Sequence, residues 1–136
     1  MSLRPRVSLS VDTALNTLII RYIGDMDGAS LYAQLLDQFL RLGEPWTYDL
    51  IVDFSRYEGV LLTSDNEAFG KVWENLAQGR DAGRLMAIVS RDPLIIARKA
   101  IRAYIFPNYI IDVFNDCAEA QTWICRRRNL QRAVCA

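Results

Sequence analysis

The chain has 136 residues, which suits one domain, and we predict a core at about residues 7–126 with tails at 1–5 and 129–136. Hydrophobic residues make up 51% and charged residues 24%, which excludes a disordered chain, and the zero net charge argues against a nucleic-acid-binding surface. The sequence contains no apolar run of about 18 residues and no apolar segment typical of a secretory signal, so we expect a cytoplasmic protein without an integral membrane segment.

The residue types that supply most catalytic and metal chemistry are scarce. Histidine is absent, which removes Ser-His and Cys-His nucleophiles and the commonest metal ligand, so we predict no enzymatic activity, metal or cofactor. Cys117, Cys125 and Cys135 have neither zinc-site nor CxxC spacing, and we interpret them as structural thiols in a reducing compartment. Only Cys135, in the tail, is expected to be reactive, because exposure governs thiol reactivity.

The first predicted elements form a β-hairpin. Apolar and polar residues alternate over 7–11, which is typical of a half-buried strand, and a more apolar strand follows at 17–23. Because only the turn at 12–16 separates the two strands, we predict that they pair antiparallel. Apolar residues at helical spacing then predict a helix over 29–42, which Gly43 ends.

The next predicted strand, 48–54, lies between two amphipathic helices, which is typical of a buried parallel strand. Asp53 and Ser55 stand at its carboxyl end, where open α/β sheets place binding sites. These two residues have two interpretations: a turn that satisfies backbone donors, or the rim of a cleft. In the second interpretation, Arg56, Tyr57 and Glu58 lie on the same rim.

Two hydroxyl-bearing residues, Thr63 and Ser64, precede the next predicted helix. Ser64 with Glu67 three residues later is the pattern of a capping box, so the helix is predicted to have Ser64 as its N-cap and to stop near 78–79. The plain interpretation of Ser64 is therefore a helix cap. The functional alternative is phosphorylation of Ser64 or Thr63, because a phosphate at a helix N-terminus meets free N–H groups and a favourable dipole.

After a predicted strand at 83–89, the helix predicted over 92–106 is more apolar than one core face requires. Its polar stripe consists of Arg98, Lys99 and Arg102. The surplus apolar surface has three interpretations: the protein's own core, a homodimer contact, or an apolar ligand. With a ligand, Arg98 and Arg102 would hold an acidic head group.

A strand at 109–114 and a helix capped by Asp116 with Glu119 are predicted to end the fold, with fraying after Arg128. The predicted fold class is α/β: an N-terminal β-hairpin followed by βα units, giving a mainly parallel mixed sheet flanked by about four helices.

The remaining charged and aromatic residues are assigned mainly structural roles. We interpret Trp46 and Trp73 as core, Asp81 and Arg84 as loop charges, and Arg126, Arg127, Arg128 and Arg132 as a solvated helix end or a contact for an acidic partner or membrane surface.

With this element order, the chain resembles the SpoIIAA-like branch of the STAS-like proteins over roughly residues 7–124. The best local matches are Ile51–Ser55, Arg84–Ser90 and Val113–Ile124, and the last resembles the family's strand, turn, helix and aromatic anchor. The branch is similar to the CRAL-TRIO lipid-binding fold. In phosphorylated members a serine opens the helix after the second core strand, and the resemblance makes Ser64 or Thr63 the equivalent hydroxyl, although here the aspartate follows the serine.

The resemblance implies a non-enzymatic regulatory or protein-interaction domain like the antagonists of anti-sigma factors, with a protein partner such as a kinase-like anti-sigma factor. The alternative is a binder of a small apolar or lipid-like acidic ligand. Its rim is predicted to consist of Asp53, Ser55, Arg56, Tyr57, Arg98 and Arg102. We also predict a bacterial homodimer that assembles through the apolar helix, and an enzyme is the least supported alternative.

Overall fold

The computed structural model describes residues 4–135, with side chains described for residues 4–131. Five strands form one sheet in which the spatial order follows the chain. They are β1 (Arg6–Asp12), β2 (Thr17–Gly24), β3 (Asp49–Tyr57), β4 (Arg84–Val89) and β5 (Tyr109–Phe114). The first two strands pair antiparallel as the predicted hairpin, and every later pair is parallel. The predicted α/β class and mixed sheet are thereby confirmed.

Helices cover both faces of the sheet, but unequally. They are α1 (Gly28–Leu42), α2 (Thr63–Ala77), α3 (Pro93–Ala97), α4 (Lys99–Ile105) and α5 (Cys117–Cys135), with a short 3-10 helix at Pro45–Thr47. The first four α-helices pack on one face, where the larger core forms, and α5 alone packs on the other. This two-sided cover explains why the central strands read as continuous apolar runs rather than as alternating ones.

Strand β3 shows how the two cores divide the side chains of one strand. Leu50, Val52 and Phe54 point into the larger core, whereas Ile51 points toward α5. Successive side chains of a strand alternate between the faces of a sheet, so a strand covered on both sides must be apolar at every position. Asp53 falls on the α5 side at the end of this run and is buried.

The structure corrects the single helix predicted over 92–106. Asp92 accepts a hydrogen bond from the N–H of Leu94 at 2.9 Å, and Pro93 begins α3, so the predicted start is confirmed. At Arg98, however, φ is −89° and ψ is 7°, outside the helical region, and α4 begins only after this residue. The Arg98 guanidinium donates to the carbonyl of Leu61 at 2.9 Å. This hydrogen bond connects the residue at the helix break to the segment before α2.

The predicted capping box of α2 is also wrong in its members. Leu62 is the N-cap, and the carboxylate of Asp65 accepts a hydrogen bond from its N–H at 3.1 Å. Ser64 therefore lies in the first turn, exposed, and does not cap the helix. Asp65 takes the reciprocal role that we assigned to Glu67, because it stands three residues after the true cap. Gly28 begins α1 directly against this carboxylate, where a Cβ would collide with it.

Helix α5 continues to Cys135 instead of fraying after Arg128. Its start is capped as predicted, since Asp116 accepts from the N–H of Glu119 at 2.9 Å. Arg128 is not a solvated charge: its Nε lies 2.8 Å from Oδ2 of the buried Asp49. The side chains of Arg132 and Cys135 lie outside the described part of the chain, so the predicted reactivity of Cys135 stays a prediction.

Asp81, predicted to be a loop charge, is only 2% exposed. Its carboxylate accepts hydrogen bonds from the indole N–H of Trp73 at 2.7 Å and from the amide of Asn108 at 3.0 Å. The prediction is wrong because a buried indole N–H needs an acceptor, and the turn after α2 supplies one. Arg84 donates to the carbonyl of Trp46 at 3.2 Å.

The outer edge of β1 is partly covered by two side chains of α1. The N–H of Val7 donates to the side-chain oxygen of Gln34 at 3.1 Å, and the amide of Gln38 donates to the carbonyl of Val7 at 2.8 Å. The two glutamines therefore satisfy backbone groups of β1 that face away from β2.

Candidate functional site

A cleft of about 650 Å³ opens at the carboxyl ends of β3, β4 and β5. One wall consists of the residues that follow these strands, and the opposite wall consists of the segment before α2 together with α3 and α4. Parallel strands that end at one edge leave such a crevice because their connections to the next helices diverge there.

The structure brings most of the sequence-predicted rim residues into this cleft. Its lining includes Asp53, Ser55, Tyr57, Arg98 and Arg102. Arg56 is exposed and does not line it. Of the two candidate phosphorylation residues, Thr63 lines the cleft and Ser64 does not.

Asp53 is held by several partners at the base of the cleft. Its Oδ1 accepts from the N–H of Ser55 at 2.8 Å, which is the turn-type bond predicted for this pair. Its Oδ2 lies 3.9 Å from the Arg21 guanidinium and 3.7 Å from the Cys117 thiol. Burial, together with the nearby Asp53 carboxylate, raises the pKa of the Cys117 thiol. The thiol is therefore protonated at neutral pH, which is the form that is a poor nucleophile.

The wall formed by α3 and α4 combines cations with apolar side chains. Arg98 and Arg102 stand four residues apart, and the Arg102 guanidinium lies 5.0 Å from the ring centroid of Phe54. The apolar part of the same lining consists of Val60, Leu61, Leu94, Ile95 and Ile101. A long hydrocarbon stem under a charged head gives arginine an apolar side as well, so cations and hydrocarbon form one continuous amphipathic wall.

Tyr57 closes the cleft near the start of α1. Its hydroxyl donates to the carbonyl of Met26 at 2.6 Å. Gly59 lies against both groups, since a Cβ on it would come within 2.5 Å of the Met26 oxygen and 2.6 Å of the tyrosine oxygen. Burial, followed by the nearby Tyr32, raises the pKa of Tyr57 to about 12, so its hydroxyl remains a donor across the physiological range.

Sequence reasoning missed Asn66, which lines the cleft and is only 8% exposed. It accepts a hydrogen bond from the hydroxyl of Tyr32. A signal was present in the sequence: Asn66, Phe69 and Trp73 follow one another at helical spacing, so a polar side chain occupies a buried position of an amphipathic helix. A polar residue at such a position has either a partner or a function.

Metal-ligand clusters and membrane-spanning helices are the two remaining features to consider. Within residues 4–131, no three His, Cys, Asp or Glu side chains are grouped as a metal site requires. None of the helices in the described part of the chain combines the length and apolarity needed to cross a bilayer.

The architecture matches that of a solved structure, an uncharacterised protein of the DUF3478 family from Shewanella loihica PV-4 with a SpoIIAA-like fold. The TM-score is 0.59 at 16% sequence identity, and the match covers 91% of this chain and 94% of the other. The chain has a SpoIIAA-like fold. The resemblance inferred from the sequence is thus confirmed for the fold, while its relation to the CRAL-TRIO fold stays a prediction. No protein-family model matches the chain, and no curated protein sequence matches it.

At this sequence identity, the likeness between the two SpoIIAA-like folds concerns architecture alone. The chemistry of the cleft must therefore be argued from this chain's own residues. In this fold Thr63 and Ser64 occupy the first two positions of α2. Phosphorylation of Thr63 would add charge to the cleft, whereas phosphorylation of Ser64 would add charge to the exposed surface beside it.

Proposed function

We propose that the protein is a non-enzymatic binding domain that takes a small amphipathic acid into the cleft at the carboxyl ends of β3, β4 and β5. One observation carries this proposal: the cleft is walled on one side by apolar side chains with Arg98 and Arg102 among them. Its volume of about 650 Å³ falls inside the range of roughly 300–1,000 Å³ that small-ligand sites occupy.

The charges in the cleft are consistent with an acidic ligand. Three carboxylates line it, and each has a structural partner: Asp53 bonds the N–H of Ser55, Asp92 that of Leu94, and Asp116 that of Glu119. Among the described residues, the Arg98 guanidinium donates to a neutral carbonyl, that of Leu61, and no carboxylate lies within 4.0 Å of it. Arg91 lines the opposite wall together with the carboxylates, so Arg98 and Arg102 make the wall formed by α3 and α4 the positive one, and it is also the apolar one.

A matched pair of substitutions tests where the ligand binds. Thr63→Trp places an indole in the cleft, whereas Ser64→Trp places the same indole on the exposed surface next to it. We expect native mass spectra of protein purified from its source cells to show a mass excess that denaturation removes. We expect Thr63→Trp to weaken ligand affinity about tenfold, corresponding to about 1.4 kcal/mol of binding energy, and so to lower the occupied fraction, whereas Ser64→Trp should leave it unchanged.

The proposal fails if the wild-type protein carries no extractable ligand and also binds neither octanoate, octyl phosphate nor octanol in calorimetric titrations. Equal loss of occupancy in the two tryptophan variants would instead indicate that the ligand binds outside the cleft.

Protein interaction is a second candidate function, favoured by the exposed apolar side chains next to the cleft. Tyr104 on α4 is 85% exposed, and five more large apolar side chains of the same region are also exposed. These are Val60, Leu62, Leu94, Ile96 and Ile101. Apolar side chains concentrated in this way are typical of a contact surface, and a second copy of the chain is the simplest partner.

We expect the Tyr104→Glu variant to be monomeric at concentrations where the wild-type protein is a dimer, because a charge in an apolar contact remains unpaired and costs about 3 kcal/mol. Light scattering coupled to size-exclusion chromatography measures this difference. Leu130→Glu is the control, since Leu130 is equally apolar and 60% exposed but lies on α5, on the opposite face of the sheet. A wild-type protein that is monomeric throughout would contradict the homodimer prediction.

A further inference from the structure

Arg102 stands where the cleft meets the core. It is half-buried, and it lines both the large cleft and a small inner pocket between the sheet and helices α1 and α2. The inner pocket is formed mainly by aromatic and aliphatic side chains. Arg102 is therefore the one charged residue among those that line the inner pocket.

Arg102 lacks the carboxylate partner that three other partly buried cations have. Arg21 lies near Asp53, Lys99 near Asp112, and Arg128 near Asp49. Among the described residues, no carboxylate lies within 4.0 Å of the Arg102 guanidinium. The Phe54 ring at 5.0 Å offsets part of the charge through a cation–π contact. Removing a guanidinium from water without a counter-charge is unfavourable, so the position favours an anion that binds there.

Asn66 supplies a second donor on the same side of the cleft. Its side-chain oxygen accepts the hydroxyl of Tyr32, which leaves its N–H groups to donate into the cleft that it lines. Burial raises the pKa of Tyr32, so this hydroxyl stays protonated and holds the amide in one orientation. A planar guanidinium fork beside an amide donor suits the two oxygens of a carboxylate.

We infer that Arg102 binds the carboxylate of the ligand, with Asn66 as the second donor, and that the ligand is a singly charged amphipathic carboxylic acid rather than a phosphate ester. This inference rests on the proposed function and specifies its ligand class. Three carboxylates, Asp53, Asp92 and Asp116, line the same cleft and repel a dianion more than a monoanion. The apolar body of the ligand lies outward from Arg102, along Leu61, Ile95 and Ile101.

Calorimetric titration of the full chain with three probes of one chain length tests the ligand class. We expect octanoate to bind the wild-type protein about tenfold more tightly than octanol, which cannot accept a charge-assisted hydrogen bond, and about tenfold more tightly than octyl phosphate, whose second charge the three lining carboxylates repel. Arg102→Met retains the apolar stem and is expected to reduce octanoate affinity about tenfold or more while leaving octanol affinity unchanged. Arg56→Met is the control, because Arg56 is exposed beside the cleft without lining it.

Thermal unfolding without ligand provides an independent measurement. Because Arg102 lacks a carboxylate partner, Arg102→Met is expected to unfold at the same or a higher temperature than the wild type, as is common for residues kept for binding.

Octanoate affinity that is equal in wild type and Arg102→Met would overturn the role of Arg102 while leaving the cleft as a binding site. Tighter binding of octyl phosphate or octanol to the wild type would overturn the carboxylate assignment, and this outcome does not depend on the variant. Failure of all three probes would overturn the carboxylate assignment, and it would overturn the proposed function itself where the purified protein also carries no extractable ligand.

Discussion

Replacing Arg128 with methionine is expected to lower the free energy of unfolding by about 3 kcal/mol, because it leaves a buried carboxylate without its counter-charge. The carboxylate is that of Asp49, which is 5% exposed and whose other oxygen accepts the N–H of Leu85 at 2.8 Å. The remaining N–H groups of Arg128 bond to the chain at the end of the hairpin turn. Their acceptors are the carbonyls of Leu15 and Asn16 and the hydroxyl of Thr17. Urea unfolding followed by circular dichroism measures the change.

Arg127→Met is the matched control for this prediction. Arg127 is exposed and lies 5.9 Å from the ring of Trp123, so its loss is expected to change stability by no more than about 0.5 kcal/mol. Combining Arg128→Met with Asp49→Asn should recover part of the loss, since the asparagine carries no charge that needs a partner. Equal unfolding midpoints for the Arg127 and Arg128 variants would contradict the interpretation that the Arg128–Asp49 ion pair stabilises the fold.

Alkaline solution is expected to unfold the protein steeply between about pH 10 and pH 12, because burial raises the pKa of several tyrosines in the folded state. Tyr22, Tyr32 and Tyr109 are buried, and burial raises the pKa of each. In the unfolded chain these hydroxyls ionise near pH 10, so above this value the unfolded state loses protons that the folded state retains. The stability they contribute is therefore complete below about pH 10 and decreases as the pH rises.

Three buried tyrosines give a large effect. Each can reduce the free energy of unfolding by up to about 1.4 kcal/mol per pH unit, or roughly 4 kcal/mol per unit together, against a total stability of about 5–15 kcal/mol for a typical domain. Tyr57, with a pKa raised to about 12 but more exposed, contributes less because water screens its surroundings. Urea midpoints at successive pH values, together with tyrosinate absorbance, measure the loss, and ionisation that precedes unfolding would contradict it.

Tyr109→Phe isolates one of these groups. Its hydroxyl is buried and has no hydrogen-bond partner among the described residues. The variant should therefore be as stable as the wild type at neutral pH, or up to about 1 kcal/mol more stable, and should lose stability less steeply in alkali. Tyr32→Phe is the contrast, since it removes the bond to Asn66 and is expected to cost about 1 kcal/mol at neutral pH.

The elements of this fold that were predictable depend on local signals. Alternation over 7–11 and the short turn predicted the hairpin, and the Asp92-Pro93 and Asp116–Glu119 caps predicted the starts of α3 and α5. These patterns act within a few residues of the chain, so the sequence contains all that is needed to recognise them. The cleft residues at the end of β3 were predictable for a related reason. In an open α/β sheet, binding clefts form at the carboxyl ends of the strands, and the sequence shows where β3 ends.

The features that were missed depend on partners distant in the chain. Arg128 and Asp49 are separated by 79 positions, and nothing in a cluster of C-terminal arginines tells which one meets a buried carboxylate. The break at Arg98 likewise depends on the carbonyl of Leu61, 37 positions earlier. The cap of α2 was missed for another reason: two carboxylates, Asp65 and Glu67, were both within reach of a capping role, and the pattern alone did not decide between them.

The glutamines of α1 that bond to Val7 also limit what the sheet can become. In an antiparallel pair, the backbone groups of alternate residues face outward, so Leu9 and Val11 are the other positions of β1 open to an added strand. A strand from another molecule would have to stop short of Val7, where Gln34 and Gln38 already occupy the outward backbone groups. Helix α1 therefore shortens the part of this edge strand that can serve as a template for pairing with another molecule.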